Sequence, residues 1–147
     1  MTITCSLGKG EDPFIFTVVL KPVNSAIKEA RDIAAFAWSH WGLGDDYTVR
    51  LVVSELITNA VRASRDDQLI VLRCYLGAGG RPVVEVWDES PEPIVMKAAD
   101  VTAQDGRGIF IVDQLVDDWS VESLTEGGKL IRVVLGAPPF TTDRPEW

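Results

Sequence analysis

The stretch LVVSELITNAVR, residues 51–62, decides how the rest of the chain is read. With its flanks it predicts a helix over 47–63 whose apolar face is Val49, Val52, Val53, Leu56, Ile57 and Ala60. These positions recur at the three- and four-residue intervals of a single helical stripe. The other face is polar. Glu55 and Asn59 are four residues apart and stack one above the other, with Ser54, Thr58 and Arg62 alongside. A carboxamide oxygen suits a hard cation such as Mg²⁺, and a carboxylate can take a proton from an attacking hydroxyl or water. The same residue types also occur on ordinary solvated helix faces, so the pair alone does not make a site.

Outward from this helix the chain reads as separate runs of strand and helix signals. FIFTVVL (14–20) is β-branched and aromatic and reads as a strand ended by Pro22. Asn24 or Ser25 can cap a following helix, whose stripe is Ala26, Ile27, Ala30, Ile33, Ala34, Ala37 and Trp41. WGLGDD (41–46) separates it from the 47–63 helix. LIVLRCYL (69–76) and PVVEVW (82–87) read as strands joined by a glycine-rich hairpin turn. WSVESLT (119–125) and KLIRVVL (129–135) read as a second pair around Glu-Gly-Gly. Between the pairs lie a long connection over 88–108, of the length expected for a lid, and a third helix over about 108–117. Residues 1–12 are small and polar and read as a flexible N-terminus, 13–136 as one domain, and 137–147 as a tail. Strands joined mainly as hairpins, with helices in separate runs, predict an α+β fold. It is a two-layer sandwich, a mixed, mostly antiparallel sheet with helices on one face.

Two further features carry chemistry. Asp88 closes the VEVWD strand, where a carboxylate can accept a hydrogen bond from an exocyclic amine; it is equally a common turn residue. In QDGRGIFIVD (104–113), Gly106, Arg107 and Gly108 stand at the start of the third helix. Glycine there lets backbone N–H groups approach an anion without a Cβ in the way, and the helix dipole favours negative charge. A plain capping turn would look the same.

Composition narrows the classes. The chain has 147 residues, 46% hydrophobic and 24% charged, which fits one globular domain. Its formal charge of −8 argues against nucleic acid as a partner. No apolar run has the roughly 20 residues of a membrane span, and MTITCSLGKG lacks the pattern of a signal peptide. With Cys5 and Cys74 at no metal-ligand spacing, a reduced, cytoplasmic location is expected. The one histidine, His40, excludes a three-histidine metal site and, lying between Trp38 and Trp41 at a helix end, reads as a packing residue. Trp87 and Trp119 read with those two as core or interface anchors.

SELITNAVR, then WDES, then DGRGIFIVDQL, then the WSV and GGKLIRVVL strands occur in one order, and this order resembles the GHKL ATPase superfamily. The similarity spans roughly residues 14–135, and it looks closest to the short branch of anti-sigma-factor serine protein kinases. The resemblance implies a Bergerat-type ATP-binding fold with ATP and Mg²⁺ as cofactors. Asn59 would bind the Mg²⁺ and Glu55 would be the general base. Asp88 would accept from the adenine amino group. Gly106, Arg107 and Gly108 would meet phosphate, with Arg62 and Ser90 also at the nucleotide. It implies a protein that phosphorylates an antagonist protein and sequesters a sigma factor, without contacting nucleic acid or membrane, and in a branch that often forms homodimers. The alternative is a non-catalytic, partner-docking switch on the same fold. Three positions depart from the superfamily's pattern: Ser90 where a glycine is usual, Ala63 where a histidine is common, and Leu130 where a hydroxyl residue often follows GGK. Leu130 is therefore expected to leave the adenine side short of one hydrogen bond.

Overall fold

A computed structural model describes residues 2–7, 14–91, 112, 115–125 and 127–136. Six strands and two long helices are laid down in the order β1 (Thr2–Leu7), β2 (Phe14–Leu20), α1 (Ser25–His40), α2 (Tyr47–Ala63), β3 (Ile70–Leu76), β4 (Pro82–Asp88), β5 (Asp118–Ser123) and β6 (Lys129–Val134). The strands form one sheet in the order β1-β2-β3-β4-β6-β5. Every described pair of neighbours is antiparallel. The expected α+β sandwich is thus the fold, with the sheet's described part antiparallel throughout.

Period-two alternation sorts the strand residues between the two faces. Phe16, Val18, Leu20, Ile70, Leu72, Cys74, Val84, Val86, Ile131 and Val133 are all buried in one core with the inner sides of α1 and α2. α1 packs across β2 and β3, and α2 across β3 and β4. The buried side of α1 is largely Ala26, Ala30, Ala34 and Ala37, small enough for the helix to lie close to α2 and the sheet. Trp38 is buried, and Trp41 and Trp119 pack against the same core. His40 is exposed, its ring edge-on to Phe16 with centroids 5.5 Å apart.

The break between the helices is a Schellman turn. Leu43 donates its N–H to the Trp38 carbonyl at 3.1 Å and Gly42 to that of Ser39 at 3.1 Å. Gly42 takes φ +65°, the left-handed conformation that this turn requires. Asn24 stands at the cap position of α1 but makes no side-chain cap bond.

One expectation is corrected at the N-terminus. Thr2–Leu7, assigned to a flexible segment, is strand β1, paired along β2 from Thr2 opposite Val19 to Leu7 opposite Phe14. The signal is present in TITCSL, where Thr2, Thr4 and Ser6 alternate with Ile3, Cys5 and Leu7, the pattern of a half-buried edge strand. Most of the expected lid and third helix, and the whole 137–147 tail, lie outside the described residues; Val112, from that helix, is buried in the core.

Candidate functional site

The polar stripe of α2 forms as the spacing predicts. Glu55 and Asn59 are both half-buried on it, and neither side chain hydrogen-bonds to another of the described residues. The hydroxyls beside them are turned inward: Ser54 Oγ donates to the Arg50 carbonyl at 2.7 Å and Thr58 Oγ1 to that of Ser54 at 2.6 Å. Among the described residues, one carboxylate and one carboxamide of this stripe are therefore left without a hydrogen-bond partner. Arg62, one turn on, is exposed and already engaged in an interaction of its own.

The second part of the site lies at the end of β4, the strand that α2 crosses. Alternation puts Asp88 on the helix-covered face, in line with Val84 and Val86. Its row in the sheet runs from Ile70 on β3 to Lys129 on β6. Asp88 Oδ1 accepts the Lys129 ammonium at 3.0 Å and the Ser90 backbone N–H at 2.9 Å. The two charged side chains are 4% and 1% exposed, so this is a buried ion pair. Asp88 Oδ2 is also buried and has no hydrogen-bond partner among the described residues. A buried acceptor left open costs about 1–3 kcal/mol, which a donor arriving there would recover.

The backbone around Asp88 is built for close approach. Gly128 has φ +96°, and a Cβ on it would lie 2.4 Å from the Asp88 carbonyl oxygen. Only glycine fits there, and it brings Lys129 directly opposite Asp88 in the register. The Glu89 carboxylate accepts the Leu69 N–H at 2.8 Å and ties the turn after β4 back to the start of β3.

The expected site residues are thus partly assembled. Asp88 and Ser90 meet: Ser90 is buried and its N–H fixes the Asp88 carboxylate in an Asx turn. Glu55 and Asn59 share the neighbouring helix α2, which crosses β4, and no hydrogen bond among the described residues joins either to Asp88. Gly106, Arg107 and Gly108 lie outside the described residues. The expectation for Leu130 is corrected: it pairs with Trp87 on the sheet face away from the helices. A hydroxyl at that position would not point toward Asp88. Lys129 is the residue that does, and sequence reading missed it. The signal lies in the register of β4 against β6, two strands separated by the long connection.

Among the described residues no three His, Cys, Asp or Glu side chains gather as a metal centre. No helix among the described residues is long and apolar enough to cross a membrane.

No curated protein sequence matches the chain. Among solved structures, the chain is similar to the histidine kinase domain of the blue-light activated histidine kinase from Erythrobacter litoralis, with TM-score 0.53 and 19% identity, over 79% of this chain and 63% of that one. It also matches the Acinetobacter baumannii histidine kinase AdeS, with TM-score 0.46 and 13% identity, over 82% of this chain and 67% of the other. The first of these likenesses establishes the fold. Residues 21–135, most of the chain, match the family described as the histidine kinase-like ATPase domain, and the protein belongs to that family.

Proposed function

We propose that the protein is a regulatory, ATP-binding anti-sigma factor that acts as a serine/threonine protein kinase on an antagonist protein. The observation that carries the nucleotide reading is Asp88, a buried carboxylate at a strand end with one oxygen saturated and the other open. In this reading Asp88 Oδ2 accepts from the adenine amino group, and Ser90 and Lys129 hold the carboxylate in place. Asn59 offers its carboxamide oxygen to Mg²⁺. When bound, Mg-ATP supplies the phosphoryl group and the cation that offsets its charge. Glu55, one turn before Asn59, would take the proton of the acceptor hydroxyl as that oxygen bonds to the γ-phosphorus and the bond from phosphorus to the bridging oxygen breaks, releasing ADP. Gly106, Arg107 and Gly108 meet the phosphates through backbone N–H groups and a guanidinium, and Arg62 lies at the edge of the same site. The partners in this reading are the antagonist protein and a sigma factor, met in the cytoplasm, with the protein as a homodimer. What supports it is the free Glu55/Asn59 pair, together with the sequence resemblance to that branch.

The test is phosphoryl transfer from radiolabelled ATP to a candidate antagonist protein. Glu55→Ala is expected to lower the rate by about a hundredfold to ten-thousandfold while nucleotide binding persists. Asn59→Ala is expected to lose Mg-ATP binding itself. An unchanged transfer rate in Glu55→Ala would remove Glu55 from the role of base. One observation favours a second reading, a non-catalytic docking switch: Asp88 is sealed from solvent and already paired with Lys129. Nucleotide-dependent phosphorylation of any partner would exclude it.

A further inference from the structure

We infer that Lys129 is a positioning residue that sets which purine edge the site accepts, by fixing the Asp88 carboxylate so that it offers a lone acceptor. This rests on the reading of Asp88 as the base end of the nucleotide site and goes beyond it by naming what determines the selectivity.

The argument starts from how the donors are distributed. Two donors, the Lys129 ammonium and the Ser90 N–H, converge on the same oxygen of Asp88. The other oxygen receives none. Turning the carboxylate over would only exchange two equivalent oxygens, so the geometry always keeps one of them satisfied and one open. Rotating it out of this position would break both bonds at once. Among the described residues Lys129 is the ion-pair partner of Asp88, whose neighbours on the same sheet face, Ile70 opposite it on β3 and Val86 two residues before it, are buried and apolar. A carboxylate in such a setting requires a paired charge. Lys129 itself has little freedom, being the first residue of β6, opposite Asp88 in register and 4% exposed, with Gly128 pressed against the Asp88 carbonyl.

A pure acceptor held in this way matches a 6-amino purine, whose exocyclic group donates. It rejects a 6-keto purine, whose oxygen would face the carboxylate oxygen. Lys129 therefore touches Asp88, not the base, and contributes to selectivity through it.

The experiment uses the full chain and measures affinity for Mg-ATP and for Mg-ITP, the inosine analogue that carries a keto oxygen in place of the amine, with circular dichroism as a check on folding. The wild-type protein is expected to prefer ATP about tenfold or more, the worth of a hydrogen bond to a charged group. In Asp88→Asn the amide oxygen goes where the two donors converge and the NH₂ takes the open position. A donor then faces the base, and the preference turns toward ITP. In Asp88→Asn with Lys129→Met only the Ser90 N–H still orients the amide. The preference for ITP then shrinks to within a few-fold of none. Replacing both members of a buried pair by neutral groups is often tolerated, which keeps the double variant measurable where Lys129→Met alone does not fold. If the single and double variants share one ATP/ITP ratio that differs from wild type, Asp88 reads the base but Lys129 does not orient it, and the inference fails alone. If the wild-type protein binds neither nucleotide, or Asp88→Asn leaves the ratio unchanged, the reading of Asp88 fails and the inference with it.

Discussion

Glu85 and Asp88 are both buried carboxylates on β4, yet they face opposite sides of the sheet and are used differently. Glu85 lies on the face without a described helix. Its Oε2 accepts Arg132 Nε at 2.7 Å and the Tyr75 hydroxyl at 3.1 Å, while Oε1 is 3.5 Å from Arg73 Nη1. Arg73 also lies over the Tyr75 ring, 5.7 Å from its centroid. Both oxygens of Glu85 are engaged, and its two arginines are 45% and 43% exposed, so solvent shares the charge. Asp88 has one buried lysine and one oxygen with nothing on it. The comparison separates a carboxylate that completes a sheet surface from one that keeps an open oxygen, which the proposed function assigns to the nucleotide base. Depth and charge are alike in the two; the count of engaged oxygens distinguishes them.

The difference should appear first in stability. Lys129→Met strands a buried carboxylate and is expected to cost about 3–5 kcal/mol in denaturant unfolding. Arg132→Met leaves Glu85 with Tyr75 and with Arg73, whose half-exposed guanidinium still carries the counter-charge, and is expected to cost about 1 kcal/mol or less. Equal losses would erase the distinction between the two carboxylates. The turn leading into β6 sharpens it further. Gly128→Ala, which drives a Cβ into the Asp88 backbone, is expected to cost about 3 kcal/mol. Gly127→Ala, whose Cβ meets nothing within 4 Å, should cost only the strain of its positive φ, about 1 kcal/mol.

The smallest effect is a pH dependence on the Glu85 side. Burial first, and the Glu85 charge second, push the Tyr75 phenol above its ordinary value. The folded state therefore holds that proton more tightly than the unfolded chain does. Its contribution is complete below the ordinary phenol pKa of about 10 and is lost as pH rises through the folded value. Cys74 acts in the same direction, its thiol pushed up to about 12 by complete burial. Tyr75→Phe is expected to lower stability by about 1 kcal/mol at neutral pH and to flatten the alkaline loss. A variant that loses stability above pH 10 as steeply as wild type would contradict that assignment.

Much of this was legible in the residues. The stripe of α2, with Glu55 and Asn59 on its polar side, follows from helical spacing, which is local. The strand pairs and the hairpin between β3 and β4 follow from alternation and glycine turns, also local. The β1 strand was legible in TITCSL but was hidden by the Gly- and Pro-containing stretch after it. Lys129 was not legible, because its meaning depends on the register between β4 and β6 across the long connection. The same register explains Leu130, whose place after GGK suggested the adenine side until alternation put it beside Trp87 on the other face.

The most direct test of the central claim is calorimetric titration of Mg-ATP into the wild-type protein, Asp88→Asn and Glu85→Gln. The account predicts micromolar binding to wild type, a loss of about tenfold or more in Asp88→Asn, and unchanged binding in Glu85→Gln. Equal effects of the two substitutions, or a wild-type protein that binds no Mg-ATP, would contradict it.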